Sequence, residues 1–189
     1  NLSSIGVTRS GEPPLARYYH LEKRLDGLRD IHVIHLRPAM FYTNFYGSME
    51  AIKHFGRIGH NVNGDQLLVM THPHDIADAA FRWLNAGDFR GRTLQYVISD
   101  VRTGNEVATI LGEVLGVTIT WEKLRDDQLL ETLIKIGFSR DAAETAIIGV
   151  GQALNAGLFD EFTKPGYRFP NGRPFTEFAK DYTVVYQHA

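Results

Sequence analysis

The chain has 189 residues, enough for one domain of ordinary size or for a large domain with a small annex. Its 20 Lys and Arg against 22 Asp and Glu leave a formal net charge of -2, which argues against electrostatic binding to nucleic acid or to an anionic membrane. There is no cysteine, so disulfides, thiolate metal sites and cysteine nucleophiles are excluded. No apolar run approaches the ~18–20 residues of a membrane helix. We therefore expect a cytoplasmic protein whose partner is a small molecule.

The hydrophobic periodicity predicts helices that alternate with strands through residues 1–121 and consecutive helices after them. Helices are predicted over 15–28, 39–55, 75–86 and 104–115, and strands over 31–36, 66–70, 93–98 and 117–121. Further helices are predicted over 126–136, 139–156 and 174–182. The alternation favours a parallel α/β sheet, and the later helices favour a helical cap on the substrate side. We divide the chain at this change into residues 1–121 and 122–189.

The first residues, from Asn1 to Gly6, read like the end of a buried strand that runs into a loop. We therefore expect the sequence to be the C-terminal part of a longer protein. Strands left as edges by such a truncation would pair with the missing part or with a second copy of the chain.

Two short motifs are weak candidates for chemistry. The sequence His72-Pro73-His74-Asp75 could bind a metal, but its side chains seldom face one point, and His74 or Asp75 has a simpler role as the N-cap of helix 75–86. We therefore predict no metal site. The glycines of Gly149-Val150-Gly151 lie inside a helical pattern with no strand before them, which predicts helix packing and not a phosphate loop.

Tyr19 and Lys23 match a pattern with a chemical use. Four residues apart on one helix face, they place an ammonium beside a phenol, which lowers the phenol pKa and makes it a usable acid for carbonyl reduction. A serine at a strand end, Ser3 or Ser4, would hold the substrate oxygen. The alternative is an amphipathic surface helix in which Tyr18 or Tyr19 packs inward.

The substrate pocket is predicted after Arg37-Pro38, because ligands of open α/β sheets lie beyond the carboxyl ends of the strands. The strand 31–36 delivers four residues to that edge: Met40, Phe41, Tyr42 and Asn44. For Phe41 and Phe45, packing in the core is an equal alternative. A polar Asn44 needs a partner, which makes it the better pocket residue.

The order of several motifs resembles the NmrA-like branch of the atypical short-chain dehydrogenase/reductases. The motifs are Leu2-Ser3-Ser4, Glu22, Leu36-Arg37-Pro38 with Phe41 and Asn44, Asp75-Ile76-Ala77, Tyr96-Val97-Ile98-Ser99 and the helix opening at Thr103. The resemblance covers residues 1–121 and, more weakly, the remainder. It implies the C-terminal part of a Rossmann-like fold in which Ser3, Arg37 and Pro38 contact NAD(P). The catalytic candidates Ser4, Tyr19 and Lys23 come from the Tyr-xxx-Lys pattern, which Lys23 satisfies only in a register shifted from that of the family.

Two departures from the family pattern affect these implications. Relatives hold the pyrophosphate of NAD(P) with a Gly-rich turn after their first strand, and nothing in this sequence matches it. NAD(P) is therefore expected to bind the full-length protein and not this chain alone. Relatives also place a Lys four residues before the position of Glu22, where this chain has Tyr18.

Two classes of function remain open. The first is an NAD(P)H-dependent oxidoreductase of quinone, flavin or carbonyl substrates. The second is a non-catalytic NAD(P)-sensing regulator that acts through a protein partner. A fragment with neither activity is the third reading.

Overall fold

The structure is a computed structural model and describes residues 1–7 and 16–188. The first residue of the predicted helix 15–28 and the loop before it lie outside the described residues. The helices are α1 (Ala16–Asp26), α2 (Met49–Phe55), α3 (Pro73–Ala86), α4 (Gly104–Leu115), α5 (Asp126–Lys135), α6 (Arg140–Ala142), α7 (Gly149–Asn155) and α8 (Phe175–His188). The strands are β1 (Val33–Pro38), β2 (Met40–Phe41), β3 (Arg57–His60), β4 (Leu67–Thr71), β5 (Arg92–Val97), β6 (Asp100–Thr103) and β7 (Thr120–Lys123).

The predicted parallel arrangement is confirmed at the centre of the sheet. β1 and β5 run parallel, with Val33 opposite Arg92 and Pro38 opposite Val97. On its other side β1 pairs with the first residues of the chain, through a parallel bridge from Leu2 to Leu36. All six residues of β1 are buried, as expected of a parallel strand covered on both faces.

The other described strands form two further sheets. β4 pairs parallel with β2 and antiparallel with β6, and β3 pairs parallel with β7. The pairing of β4 with β6 is thus the antiparallel one among the described strands, and the other pairings are parallel.

The alternation of side chains along β1 explains how two helices cover it. Ile34 and Leu36 face α3, where they pack in one cluster with Ala79. His35 and Arg37 face α1, where their side chains meet carboxylates. Each face of the strand is thus matched to the chemistry of the helix above it.

The helical segments after β7 enclose a core of their own. Leu129 and Leu133 of α5 pack against Ala143 and Ile148 in the segment that follows α6. The division of the chain at residues 121 and 122 stays a prediction.

Three predicted helices differ in detail from the structure. The segment predicted as helix 39–55 contains β2, a 3-10 helix (Tyr42–Ser48) and then α2. The predicted helix 139–156 is α6, a π-helical turn (Ala143–Ile148) and α7 in continuous succession. The N-cap of α3 is His72 and not His74 or Asp75, because the His72 side chain accepts a hydrogen bond from the amide of His74.

None of the helices in the described ranges is long and apolar enough to cross a membrane.

Candidate functional site

A cavity of about 330 Å³ opens where β1 ends. Its wall is formed by the first residues of the chain, the start of α1, the residues after β1, Val69 of β4 and part of the helical segment 126–159, which we call the cap. Ten of the described lining residues are apolar: Ile5, Pro38, Ala39, Met40, Phe41, Val69, Ala146, Val150, Leu154 and Phe159. The polar lining residues are Ser3, Ser4, Arg17, Tyr18 and Asn44. The cavity thus has apolar walls with a few polar groups, the usual character of a small-molecule site.

The position of the cavity follows from the direction of two neighbouring extended segments. The amides of Ser3 and Ile5 donate to the carbonyls of Leu36 and Pro38, at 2.7 and 2.9 Å. This parallel pairing brings the end of the first segment level with the end of β1. Side chains that follow both ends therefore meet at one edge of the sheet, as expected of open α/β folds.

Six of the residues predicted from sequence line this cavity. They are Ser3, Ser4, Pro38, Met40, Phe41 and Asn44. Asn44 is exposed and makes no hydrogen bond to a described residue, so its amide is free to meet a ligand. The roles predicted for these residues stay predictions.

Tyr19 and Lys23 do not line the cavity. The Lys23 ammonium lies over the face of the Tyr19 ring, 5.5 Å from its centroid, instead of beside the phenol oxygen. Tyr19 is half-buried and packs against the main core. The structure therefore supports the alternative of an amphipathic helix for this pair and does not place it where a substrate carbonyl would lie.

Arg37, predicted to contact the cofactor, is engaged in a buried ion pair. Its Nε donates to Glu22 Oε1 at 3.0 Å and its Nη2 to Glu22 Oε2 at 2.5 Å. Burial alone would raise the pKa of Glu22, but the hydrogen bonds and charge of Arg37 outweigh it and hold that pKa below its ordinary value. Because both guanidinium edges are committed to α1 and the sheet, Arg37 positions the helix and does not face the cavity.

Tyr42 is also a correction to the predicted pocket. Its side chain is fully buried and packs edge-on against Phe175, while its hydroxyl donates to the carbonyl of Arg173 at 2.9 Å. Phe45 is buried in the same core, whereas Phe41 is half-buried and lines the cavity. The 3-10 helix that starts at Tyr42 turns Tyr42 and Phe45, three residues apart, into the core, a spacing that a pattern based on an α-helix does not predict.

Sequence reasoning missed Arg17 and the cap residues of the cavity wall. Ala146 and Val150 reach the cavity from the π-helical turn and from α7. No sequence signal marks small apolar residues of a distant helix as pocket residues. Tyr18 did carry a signal, since it occupies the position at which similar sequences place a Lys.

The His72 to Asp75 segment has a structural role. Asp75 is fully buried and accepts hydrogen bonds from Ser99 Oγ at 2.5 Å and from the amide of Arg173 at 2.9 Å, and it also pairs with the Arg173 guanidinium. Burial and the charge of His74 lower the pKa of His72. Within the described residues, no three His, Cys, Asp or Glu side chains come together as a metal site would require.

The described residues fit only one end of a dinucleotide. Ser3, Ser4 and Pro38 line the cavity at the strand ends, and the described residues show no Gly-rich turn between a strand and a helix that would hold a pyrophosphate. Gly151 packs against the Asn61 side chain, which leaves no room there for a side chain or a phosphate. The site is thus suited to a substrate, and a dinucleotide would need a pyrophosphate cradle from elsewhere.

The chain is similar to known proteins in its three-dimensional structure, whereas comparisons with family models and with curated proteins find no match. Among solved structures, an NADPH-dependent quinone oxidoreductase from Escherichia coli matches with a TM-score of 0.74 at 22% identity, over 98% of this chain and 66% of that one. A nucleoside-diphosphate-sugar epimerase from Staphylococcus aureus matches with a TM-score of 0.73 at 17% identity, over 95% of this chain and 63% of that one.

A third structure has a regulatory role. NmrA, a negative transcriptional regulator in complex with NADP, matches with a TM-score of 0.67 at 12% identity, over 99% of this chain and 64% of that one. The chain has the NmrA-like fold. This confirms the fold predicted from the sequence motifs. The chain spans about two thirds or less of the length of these structures, 63–66%.

Proposed function

We propose that the chain is the substrate-side part of an NAD(P)H-dependent oxidoreductase that reduces quinone, flavin or carbonyl compounds. The observation that carries the proposal is the apolar cavity at the carboxyl ends of parallel strands in an NmrA-like fold. The E. coli quinone oxidoreductase of similar fold is described as NADPH-dependent and has been solved with NADPH.

The walls of the cavity suit a flat, weakly polar substrate. Met40, Phe41, Val150 and Leu154 supply apolar surface, while Ser4 and Tyr18 supply hydroxyl donors. A quinone or flavin has the same division, with an apolar ring and carbonyl oxygens that accept hydrogen bonds. Apolar walls also exclude water, which strengthens the hydrogen bonds made inside.

NAD(P)H supplies hydride in reactions of this class. The described residues can offer only the substrate side of the site, and we assign no contact to the pyrophosphate. Ser3, Ser4 and Pro38 are the residues of this chain that would border the nicotinamide end.

We assign proton donation to Tyr18, because it is the phenol among the described residues that line the cavity. This replaces the sequence-based assignment to Tyr19. Positioned proton transfer contributes on the order of 10²–10⁴ to the rate of such reactions.

The test is steady-state oxidation of NADH and NADPH with panels of quinones, flavins and carbonyl compounds, using the protein as its gene encodes it. Oxidation is expected with a flat acceptor, and Tyr18→Phe should lower kcat at least tenfold with little change in KM. If Tyr19→Phe lowers kcat and Tyr18→Phe does not, the phenol assignment is wrong. Absence of turnover with every acceptor would contradict the oxidoreductase.

A non-catalytic NAD(P)-sensing regulator is the second candidate. The position of Tyr19 and Lys23 outside the cavity favours it, and NmrA, a regulator, has a similar fold. Binding of NADP without turnover, together with a protein partner whose affinity depends on NADP, would support this candidate over the first.

A further inference from the structure

The electrostatic character of the cavity comes from one side chain. Arg17 is the charged group among the described lining residues, and no described carboxylate lines the cavity. Behind the wall, Glu22 and Arg37 neutralise each other in their buried ion pair. Among the described residues that line it, the apolar cavity thus carries one cation, which attracts an anion.

Arg17 connects α1 to the π-helical turn beside the cavity. From the first turn of α1, its Nη2 donates to Thr145 Oγ1 of the π-helical turn at 3.5 Å. The Thr145 hydroxyl itself donates to the carbonyl of Asp141 at 2.6 Å, so it is held in place as an acceptor. A guanidinium has five N–H donors, and this contact uses one of them.

The charge of Arg17 destabilises α1 slightly, because of its position in the helix. A cation in the first turn opposes the positive end of the helix dipole. The first turn of α1 contains no acidic residue among its described positions to offset that charge. A bound anion beside Arg17 would offset this repulsion between the guanidinium and the helix dipole.

A hydroxyl in the same wall lies beside the buried carboxylate. Ser3 is 4% exposed and lines the cavity, and its interaction with Glu22 contributes to the lowered pKa of that carboxylate. An anionic ligand would therefore be held by Arg17 and the apolar walls.

We propose that the cavity binds a flat aromatic anion, whose ring lies between the apolar walls and whose carboxylate or sulfonate pairs with Arg17. This inference rests on the proposed function and names its substrate class. A volume of about 330 Å³ lies at the small end of ligand pockets, which span roughly 300–1,000 Å³. It suits a compound of two fused rings.

The test compares two probes of one shape, 2-naphthoate and the neutral 2-naphthamide, by calorimetric titration of the 189-residue chain. 2-Naphthoate is expected to bind about tenfold more tightly, as a charge-assisted hydrogen bond at a partly exposed site should give. Arg17→Gln should abolish this preference and leave 2-naphthamide binding unchanged, whereas Arg17→Lys should retain part of it. Arg24→Gln removes an exposed cation of the same helix outside the cavity and should leave the preference intact.

A variant whose cavity is filled by a larger side chain tests whether the two probes bind in this cavity. Ala146→Trp adds bulk to the cap wall and should weaken both probes at least tenfold, with circular dichroism and thermal melting used to verify that the variant folds. Equal affinity for the two probes, equal losses in the Arg17→Gln and Arg24→Gln variants, or unchanged binding in folded Ala146→Trp would each overturn the proposal. If the anion preference depends on Arg17 but the encoded protein shows no NAD(P)H oxidation, the proposed reaction fails while this site stands.

Discussion

A carboxylate and a guanidinium share the buried space between α1 and β1. The Glu22 and Arg37 side chains are 7% and 6% exposed, and two hydrogen bonds join them. Removing one member of such a pair leaves the other charged and buried, which costs more than the pair itself contributes. The pair therefore fixes the position of α1 relative to the sheet edge at which the cavity lies.

Glu22→Gln is expected to lower the free energy of unfolding at pH 7 by about 3 kcal/mol, because the Arg37 charge then lacks its counter-ion. The folded pKa of Glu22 lies below its ordinary value of 4.5. The stabilisation is thus present above about pH 4.5 and is lost as the pH falls through the folded pKa. Urea unfolding at pH 7 and pH 3 measures both effects, and the exposed Glu50→Gln serves as control. Equal losses at the two pH values would contradict this origin.

His60 makes the free energy of unfolding depend on pH in a second range, which lies above that of Glu22. Burial lowers its pKa from 6.5 to about 4, and its ring stacks on Trp121 with centroids 6.0 Å apart. The neutral form is favoured in the folded state, so stability is fully present above pH 6.5 and declines as the pH falls through 4. His60→Phe should flatten this decline, while His54→Phe, on the exposed face of α2, should leave it unchanged. An equally steep decline in His60→Phe would show that another group titrates.

At the scale of elements, the loop after β3 joins the sheet to the cap. Asn61 Nδ2 donates to Asp126 Oδ1 at 2.8 Å and to the carbonyl of Ile148 at 3.0 Å. Asn155 accepts from the amide of Asn63 at 3.0 Å and donates to the carbonyl of Asn61 at 2.8 Å. These bonds hold α5 and α7 against the strand, and α7 in turn forms part of the cavity wall.

Gly151→Ala is expected to break this connection. A Cβ at Gly151 would overlap the Asn61 amide and force it from its partners, a cost of about 1–3 kcal/mol. Thermal unfolding measures the loss, and Gly47→Ala is the control because a Cβ there meets no atom within 4 Å. If both variants have the same midpoint, the Asn61 contacts do not hold the cap.

The sequence predicted the elements whose signals are local. The β-branched alternation of residues 31–36 predicts β1, and Thr103 as N-cap predicts the start of α4, where the structure shows a capping box with Glu106. β2, β3 and β6 were missed because they span two to four residues and form only by pairing with distant strands. The position of the cavity was predictable because ligands of open α/β sheets lie beyond the carboxyl ends of the strands. The contacts of Arg37 and Tyr42 depended on tertiary partners that no local pattern shows.

At the scale of the whole molecule, the extended segment at residues 1–5 pairs with β1 on one side and with no other described strand on its other side. Leu36 bonds to the carbonyl of Asn1 and the amide of Ser3, so the amide and carbonyl of Leu2 point away from β1. An apolar groove lined by Leu21, Ile34 and other residues adjoins this edge. Unpaired edge strands beside apolar surface favour association with another strand.

We expect the isolated 21.3 kDa chain to form a dimer through this edge, in which two copies pair along the first strand. Leu2→Pro removes the outward amide donor without breaking a bond to β1, and should shift the mass measured by light scattering to that of a monomer. Phe81→Ser removes an exposed aromatic of α3 outside this groove and should leave the dimer intact. A wild-type chain that is monomeric at all concentrations would contradict the expectation.

The π-helical turn from Ala143 to Ile148 has an evolutionary consequence. One extra residue is accommodated in such a turn, whereas the same insertion in a regular α-helix would rotate everything that follows by about 100°. Without the turn, Val150 and Leu154 would leave the cavity and other side chains would replace them. The turn thus allows the length of this helix to change by one codon while the wall of the cavity is inherited unchanged. Related sequences that differ in length here should therefore keep their ligand preference where the π-helical turn is present and change it where a regular helix replaces the turn.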